Sequence, residues 1–417
     1  MSNGRLSIGL RAILAVFAVL LLVTSTRAVA QQETVLYSFT GTTDGSTPHA
    51  GLIFDAVGNL YGTTSQGGAY GFGTAFELTP TAGGSWTETV LHNFNNNGID
   101  GSYPLCCLIF DSSGNLYGTT WQGGAYGYGT VFELTPSAGG SWTETLLHSF
   151  KDADGSTPGA GLIFDSVGNL YGTTLGGGGY RSGTVFELTP TVGGGWTEKV
   201  LYNFKQKGKR DGARPNALIF DASGNLYGTT AVGGAYNFGT AFELTPRTGG
   251  NWTERLLHSF QHSPKDGDDP EAGLIFDASG NLYRTTGAGG KYSSSVGTVF
   301  ELSPIAGGGW TEKVLHNFLN HGNDGTEIEA GLTFDAAGNL YGTANSGGAY
   351  GFGTAFELTP TAGGSWTETV LHSFGDNGTD GTNPGDGDLI FDAVGNLYGT
   401  TVYGGAYGWG TVFEIAR

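Results

Sequence analysis

Thr34–Phe39 reads TVLYSF. Nearly the same phrase returns as TVLHNF at Thr89–Phe94 and at five later places, the last being TVLHSF at Thr369–Phe374. In those later copies it follows a strand-like segment of the type TVFELTP, but at Thr34 nothing repeat-like precedes it. At the other end of the chain, Thr411–Ile415 (TVFEI) is that segment without its usual successor. One end therefore carries a strand too many and the other a strand too few. The two balance if the chain bends into a ring and the first strand completes the last sheet.

Working outward, the repeat is plain. A Phe-Asp landmark ends a short apolar run at Asp55, Asp111, Asp165, Asp221, Asp277, Asp335 and Asp392, with spacings of 54 to 58 residues. Gly67–His92 and Gly347–His372 are identical over 26 residues. Each unit divides into four strands, in the first copy Gly51–Asp55, Asn59–Thr64, Thr74–Thr79 and Trp86–Phe94. An Asp-x-x-Gly turn joins the first two, and Pro80, lacking an N–H, ends the third ladder. Alternation is only partial in the fourth strand, which allows a bulge. Helical periodicity is absent.

Four antiparallel strands per unit, repeated seven times, is the signature of an all-β, seven-bladed β-propeller closed by the mature N-terminal strand. Repeats are expected near 51–94, 107–150, 161–204, 217–260, 273–318, 331–374 and 388–415, the last completed by 34–39, with 31–417 forming a single domain. Closure removes the exposed sheet edges that invite aggregation. An open solenoid shares the period, but its terminal repeats should be atypical caps, and the last copy here is ordinary until it stops.

The first thirty residues stand apart. Arg5 and Arg11 flank an apolar run, Ala12–Val23, and Ala28-Val29-Ala30 offers a small-x-small cleavage site, so residues 1–30 read as a signal peptide. No later segment is apolar enough to span a bilayer, and the chain stops at Arg417 without a tail anchor. Cleavage removes Arg5, Arg11 and Arg27 and no acid, taking the formal charge from −19 to −22. Such acidity argues against nucleic acid or anionic lipid as a partner. Glycine, at 77 of 417 residues, has no triplet period, and 12% aromatics exclude a disordered linker. Cys106 and Cys107 are adjacent, point to opposite faces of a strand, and read as small side chains in tight sites, not as a disulfide.

The phrase at Asp111–Pro136, DSSGNLYGTTWQGGAYGYGTVFELTP, resembles the tandem Gloeo/Verruco (GloVer) repeat of secreted bacterial proteins, and the resemblance covers nearly all of Thr34–Ile415. It implies a secreted or periplasmic bacterial protein and no particular activity. Members of that family end in sorting anchors. This chain does not, which points to a freely exported product. A looser similarity to kelch propellers lies in Gly123-Gly124 and in Val131–Pro136 followed by Trp142, and it serves as fold analogy alone.

Repeated residues read as architecture first. Glu77 and its six equivalents are expected to hydrogen bond within each blade, since a catalytic acid needs a unique setting. Asp55 and its equivalents suit Asx turns. His92, His148, His258, His316 and His372 share their position with Tyr37 and Tyr202 and lie in separate blades, so they do not converge on one ion. The Gly-Gly loops carry Tyr70, Tyr126, Tyr180, Tyr236, Tyr292, Tyr350 and Tyr407, followed in five copies by Phe72, Tyr128, Phe238, Phe352 and Trp409. These rings either plug seams between blades or form a recognition face for a glycan or protein partner. The Asp-Gly loops on the same face offer Asp152 with Asp154, Asp266 with Asp268, and Asp376 with Asp380 as candidate calcium ligands. No other metal and no organic cofactor is indicated.

Departures from the repeat are a separate signal. The loop Lys205–Arg214 gathers five basic residues, Arg284 replaces the glycine after tyrosine, Lys291 adjoins an enlarged loop at Ser293–Ser295, and Cys106 and Cys107 replace the Ala50 and Gly51 of the first unit. No Gly-x-Ser-x-Gly, His-Glu-x-x-His or Cys-x-x-Cys-His motif appears. A recognition or structural propeller is therefore the leading functional expectation. The alternative is an enzyme acting on an extracellular polysaccharide, which would hold several carboxylates with opposed pKa values in an axial pocket.

Overall fold

A computed structural model describes residues 32–206, 211–292, 296–319 and 324–417. The expected signal peptide at 1–30, residues 207–210 of the basic loop, and Ser293–Ser295 lie outside them. The described chain is all-β, and none of its segments is a helix long and apolar enough to cross a membrane.

Seven antiparallel sheets form the blades. In the first, Ile53–Phe54, Leu60–Thr64, Thr74–Pro80 and Trp86–Asn93 lie side by side in chain order. The seventh is made of Ile390–Phe391, Leu397–Gly404, Thr411–Ala416 and, from the other end of the chain, Gln32–Ser38. The closing strands run antiparallel with Glu33 opposite Ile415 and Val35 opposite Phe413. The ring is closed as the strand count requires.

The fourth strand is bulged in each blade. In the first, Ala75 faces His92 and Phe76 faces Val90, leaving Leu91 as the extra residue, and the closing strand shows the same shift between Val35 and Tyr37. A bulge re-aims side chains, and here it buries Leu91 although its neighbours stay half-exposed. Partial alternation in the sequence was the sign of this.

The apolar core is divided among the seams between blades. Tyr61, Ala75, Leu91 and Phe94 of the first blade pack on Leu108, Leu116, Phe132 and Leu134 of the second. The same grouping recurs round the ring, ending with Phe39, Tyr398 and Val412 against Leu52, Leu60 and Phe76. Edge-on phenylalanine pairs cross every seam, as Phe94–Phe132 and Phe39–Phe76 do at 5.1 Å between centroids. Gly62 permits this packing, because a Cβ there would meet the Phe76 ring at 2.7 Å.

The repeated polar residues serve each blade locally. Asp55 accepts bonds from the Val57 and Asn59 amides at 2.9 Å, and the Tyr61 hydroxyl donates to Glu77 at the same distance. Threonines then stitch the blades together at the hub. Thr63 donates to the Cys106 carbonyl, Thr119 to Ala160, Thr173 to Asn216, Thr229 to Ala272, Thr285 to Ala330 and Thr400 to Ala50. Thr343 is buried without such a partner among the described residues, and the approach segment of the seventh blade, Pro384–Asp388, is one residue longer than in most copies.

Candidate functional site

Each first strand is reached by a short segment that descends to the axis, such as Pro48–Gly51, and the threonine stitches hold that segment in place. Six of these approaches, all but that of the sixth blade, bring together residues that are far apart in the chain. They enclose an axial cavity of about 580 Å³. Its two sides differ. Blades two and three contribute Leu105, Cys106, Trp121 and Leu175, whereas blades five and seven contribute Asp269, Glu271, Asp386 and Asp388. His49 and Arg214 also line it, and His49 Nδ1 lies 3.8 Å from Asp386 Oδ2.

The acidic side holds protons that free carboxylic acids would lose. Burial pushes Glu271 up to about 8, with Glu329, Asp269 and Asp386 adding repulsion and Arg214 opposing it. Burial likewise lifts Glu329 to about 7, helped first by Asp386. Asp269 is raised by burial and by Asp268. Near neutral pH Glu271 therefore keeps its proton and donates as well as accepts hydrogen bonds, whereas Glu329 is not among the residues that line the cavity.

Deeper in the hub, Arg284 is fully buried, and its Nη1 lies 3.6 Å from Asp388 Oδ1. Burial lowers the guanidinium to about 10 and Asp388 works against that shift, so the arginine stays charged. Cys107 lies beside Asp388 near the glycine of the first blade's approach, with its Sγ 3.2 Å from where a Cβ on Gly51 would stand. Both cysteines are free thiols. The hydrogen bond between the two thiols, with burial, pushes Cys106 up. Arg284 and the cysteine pair, which look unrelated along the sequence, thus meet at Asp388, which lines the same cavity as Arg214.

The mouth of the cavity lies on the face where the loops entering a blade meet the Gly-Gly loops. Gly101–Ser102 pairs there with Gln122–Gly123. Tyr70, Tyr126, Tyr180, Tyr236, Tyr292, Tyr350 and Tyr407 all stand on this face with more than half of their surface exposed. They do not plug seams. Phe72 and Phe352 do pack on seam clusters, whereas Tyr128, Phe238 and Trp409 remain largely open. Lys205 stands over the Tyr180 ring at 5.2 Å.

The six loop aspartates do not converge as oxygen sets. Asp152 pairs with Arg181 at 3.2 Å, Asp268 bonds to His262, and Asp376 is exposed. Asp154, Asp266 and Asp380 occupy one repeat position and turn inward. Each accepts a backbone amide and faces the histidine of the preceding strand, His148, His258 and His372 respectively.

Comparing the histidines only with one another hid this arrangement. At the first seam His92 Nε2 lies 3.2 Å from Asp100 Oδ2, and Glu144 of the next blade completes a cluster whose ligating atoms lie within 4.8 Å of one another. His148–Asp154–Glu198, His316–Asp324–Glu368 and Glu33–His372–Asp380 are equivalent. The available signal is an acid six to eight residues after each histidine and, for all but Glu33, a Trp-Thr-Glu one blade later.

A family model described as the Gloeobacter/Verrucomicrobia repeat matches residues 22–209, 143–333 and 296–417. No curated protein matches the sequence. Among solved structures, the chain is similar to one described as the extracellular domain of a one component system from B. thetaiotaomicron. The identity is 15%, the TM-score 0.55, and the match covers 94% of this chain and 42% of that one. The extracellular domain of a hybrid two component system from the same organism gives 15% and 0.53, covering 93% of this chain and 42% of the other. This chain thus spans less than half the length of either, and at such identity the likeness is one of fold.

Proposed function

The chain belongs to the Gloeobacter/Verrucomicrobia repeat family, and from that premise we propose that it is an exported recognition propeller that takes a carbohydrate chain on its loop face. The reading rests on the two-sided axial cavity. Protonated Glu271 suits a ligand rich in hydroxyls, and Trp121 and Leu105 suit the apolar face of a sugar ring. The exposed tyrosines extend the same chemistry outward over the face, since an aromatic ring contributes apolar area and its hydroxyl a polar handle. A polyanion is disfavoured by the net acidity of the chain, −19 over its full length. The test is a glycan array followed by calorimetry with the mature protein, Trp121→Ala and Glu271→Gln. Retention of a neutral glycan that both substitutions weaken supports the reading. Binding no greater than that of a heat-denatured sample overturns it.

A second reading has its own observation. Glu271 is pushed up to about 8 beside Glu329 and Asp386, and a glycosidase needs one carboxyl that keeps its proton for general acid work. It requires turnover of a polysaccharide that Glu271→Gln abolishes. Binding of intact glycan without product over long incubation removes it.

A further inference from the structure

We infer that Glu33, His372 and Asp380 form a zinc-class divalent cation site that fastens the closing strand of the ring. Three observations converge on it. His372 Nε2 lies 3.0 Å from Asp380 Oδ2, and the ligating atoms of all three residues lie within 4.8 Å of one another. The Asp380 side chain is only 9% exposed, and its Oδ1 has no hydrogen-bond partner among the described residues although Oδ2 is engaged by the Gly375 amide. A recess of about 280 Å³ opens beside the cluster, lined by the same three residues with Asn377 and Thr379. A buried lone carboxylate oxygen is costly unless something satisfies it, and there is room here for an ion with bound water.

The donor set selects the ion. Zinc accepts both imidazole nitrogen and carboxylate oxygen, and a site of three protein donors leaves it a position for water. Calcium prefers six to eight oxygens and gains little from an imidazole. The placement gives the site its meaning. At the other seams the glutamate follows its histidine within the chain. At this one Glu33 stands on Gln32–Ser38, so an ion would tie the first strand of the protein to its sixth blade across the point of closure. Two other seams provide a natural control. Tyr37 and Tyr202 stand at the histidine position, and their hydroxyls donate to Asp44 and Asp211 at 3.0 and 3.3 Å, so tyrosine is compatible with the fold there.

The experiment is hydrogen exchange on the mature protein after chelator treatment, with zinc or calcium added, for wild type, Glu33→Gln and His372→Tyr. Zinc at about ten times its dissociation constant should slow exchange of the Val35–Phe39 amides about tenfold by mass action, where opening of that strand limits exchange. Both variants should fold and lose the effect. The inference is overturned if zinc leaves these amides unchanged in wild type, if His372→Tyr is protected equally, or if calcium protects as well as zinc.

Discussion

Arg284 Nη1 lies 3.6 Å from Asp388 Oδ1, joining the fifth blade to the seventh past Gly331 of the sixth. A Cβ on Gly331 would stand 1.3 Å from that carboxylate oxygen, so the pair needs a glycine between its partners. Arg284 is fully buried while the Asp388 side chain is half exposed, so removing the carboxylate strands a buried guanidinium beside water. Asp388→Ala should therefore destabilise the protein by roughly 1–3 kcal/mol, and Arg284→Gly combined with Asp388→Ala should recover most of the loss. Urea midpoints of the single and double variants give the coupling directly.

The seam phenylalanines make a second prediction. Phe132 is fully buried and packs edge-on against Phe94 of the preceding blade. Phe132→Ala should cost about 3–5 kcal/mol, read from chemical denaturation, and Phe94→Ala should cost a similar amount. Because both rings share one seam, the double substitution should cost clearly less than the sum.

Closure is tested by truncation. Phe39 is fully buried between the last and first blades. A protein beginning after Thr40 loses that ring and leaves Thr411–Ala416 as an open edge. Burial of Phe39 alone is worth about 3–5 kcal/mol, so the truncated protein should melt many degrees lower and aggregate more readily. Melting within a few degrees of the intact chain would count against a load-sharing role for the first strand.

The seam glutamates set a pH dependence. Burial pushes Glu88, Glu144, Glu198 and Glu254 up to about 7, and Glu312 and Glu368 to about 8. A carboxyl whose pKa is raised on folding contributes fully below its unfolded value, near 4.5, and that contribution is lost as pH rises through the folded value. Unfolding midpoints should therefore fall between about pH 5 and pH 8.5. His148 and His316, held down by burial, act in the opposite sense below about pH 6.5, where the unfolded chain takes up the proton they refuse. Glu144→Gln cannot ionise and should flatten the alkaline side of the profile.

The fold was legible because its instructions are local and repeated. The Asp-x-x-Gly turn, the glycine under a phenylalanine and the bulged fourth strand are each written seven times or nearly so, and counting strands at the two ends gave the closure. The hub was not legible for the opposite reason. Glu271, Glu329, Asp386 and Asp388 occupy short approach segments where the copies differ, and only ring geometry brings positions more than fifty residues apart to one axis. Arg284 and the cysteines could be seen as exceptions to the repeat, but not as neighbours. The histidine clusters were within reach, since each histidine is followed at short range by its aspartate. They do not stand out along the repeat, because the residues that touch at a seam occupy different repeat positions in neighbouring blades.

Thr343 has the last consequence. Six threonines grip the next blade's approach segment and this one does not. A wheel of interchangeable spokes would admit a guest in seven rotational settings of equal energy, each diluting the others. The hub side chains already break that degeneracy, and the one ungripped spoke, with the longer segment it faces, adds a backbone asymmetry to theirs.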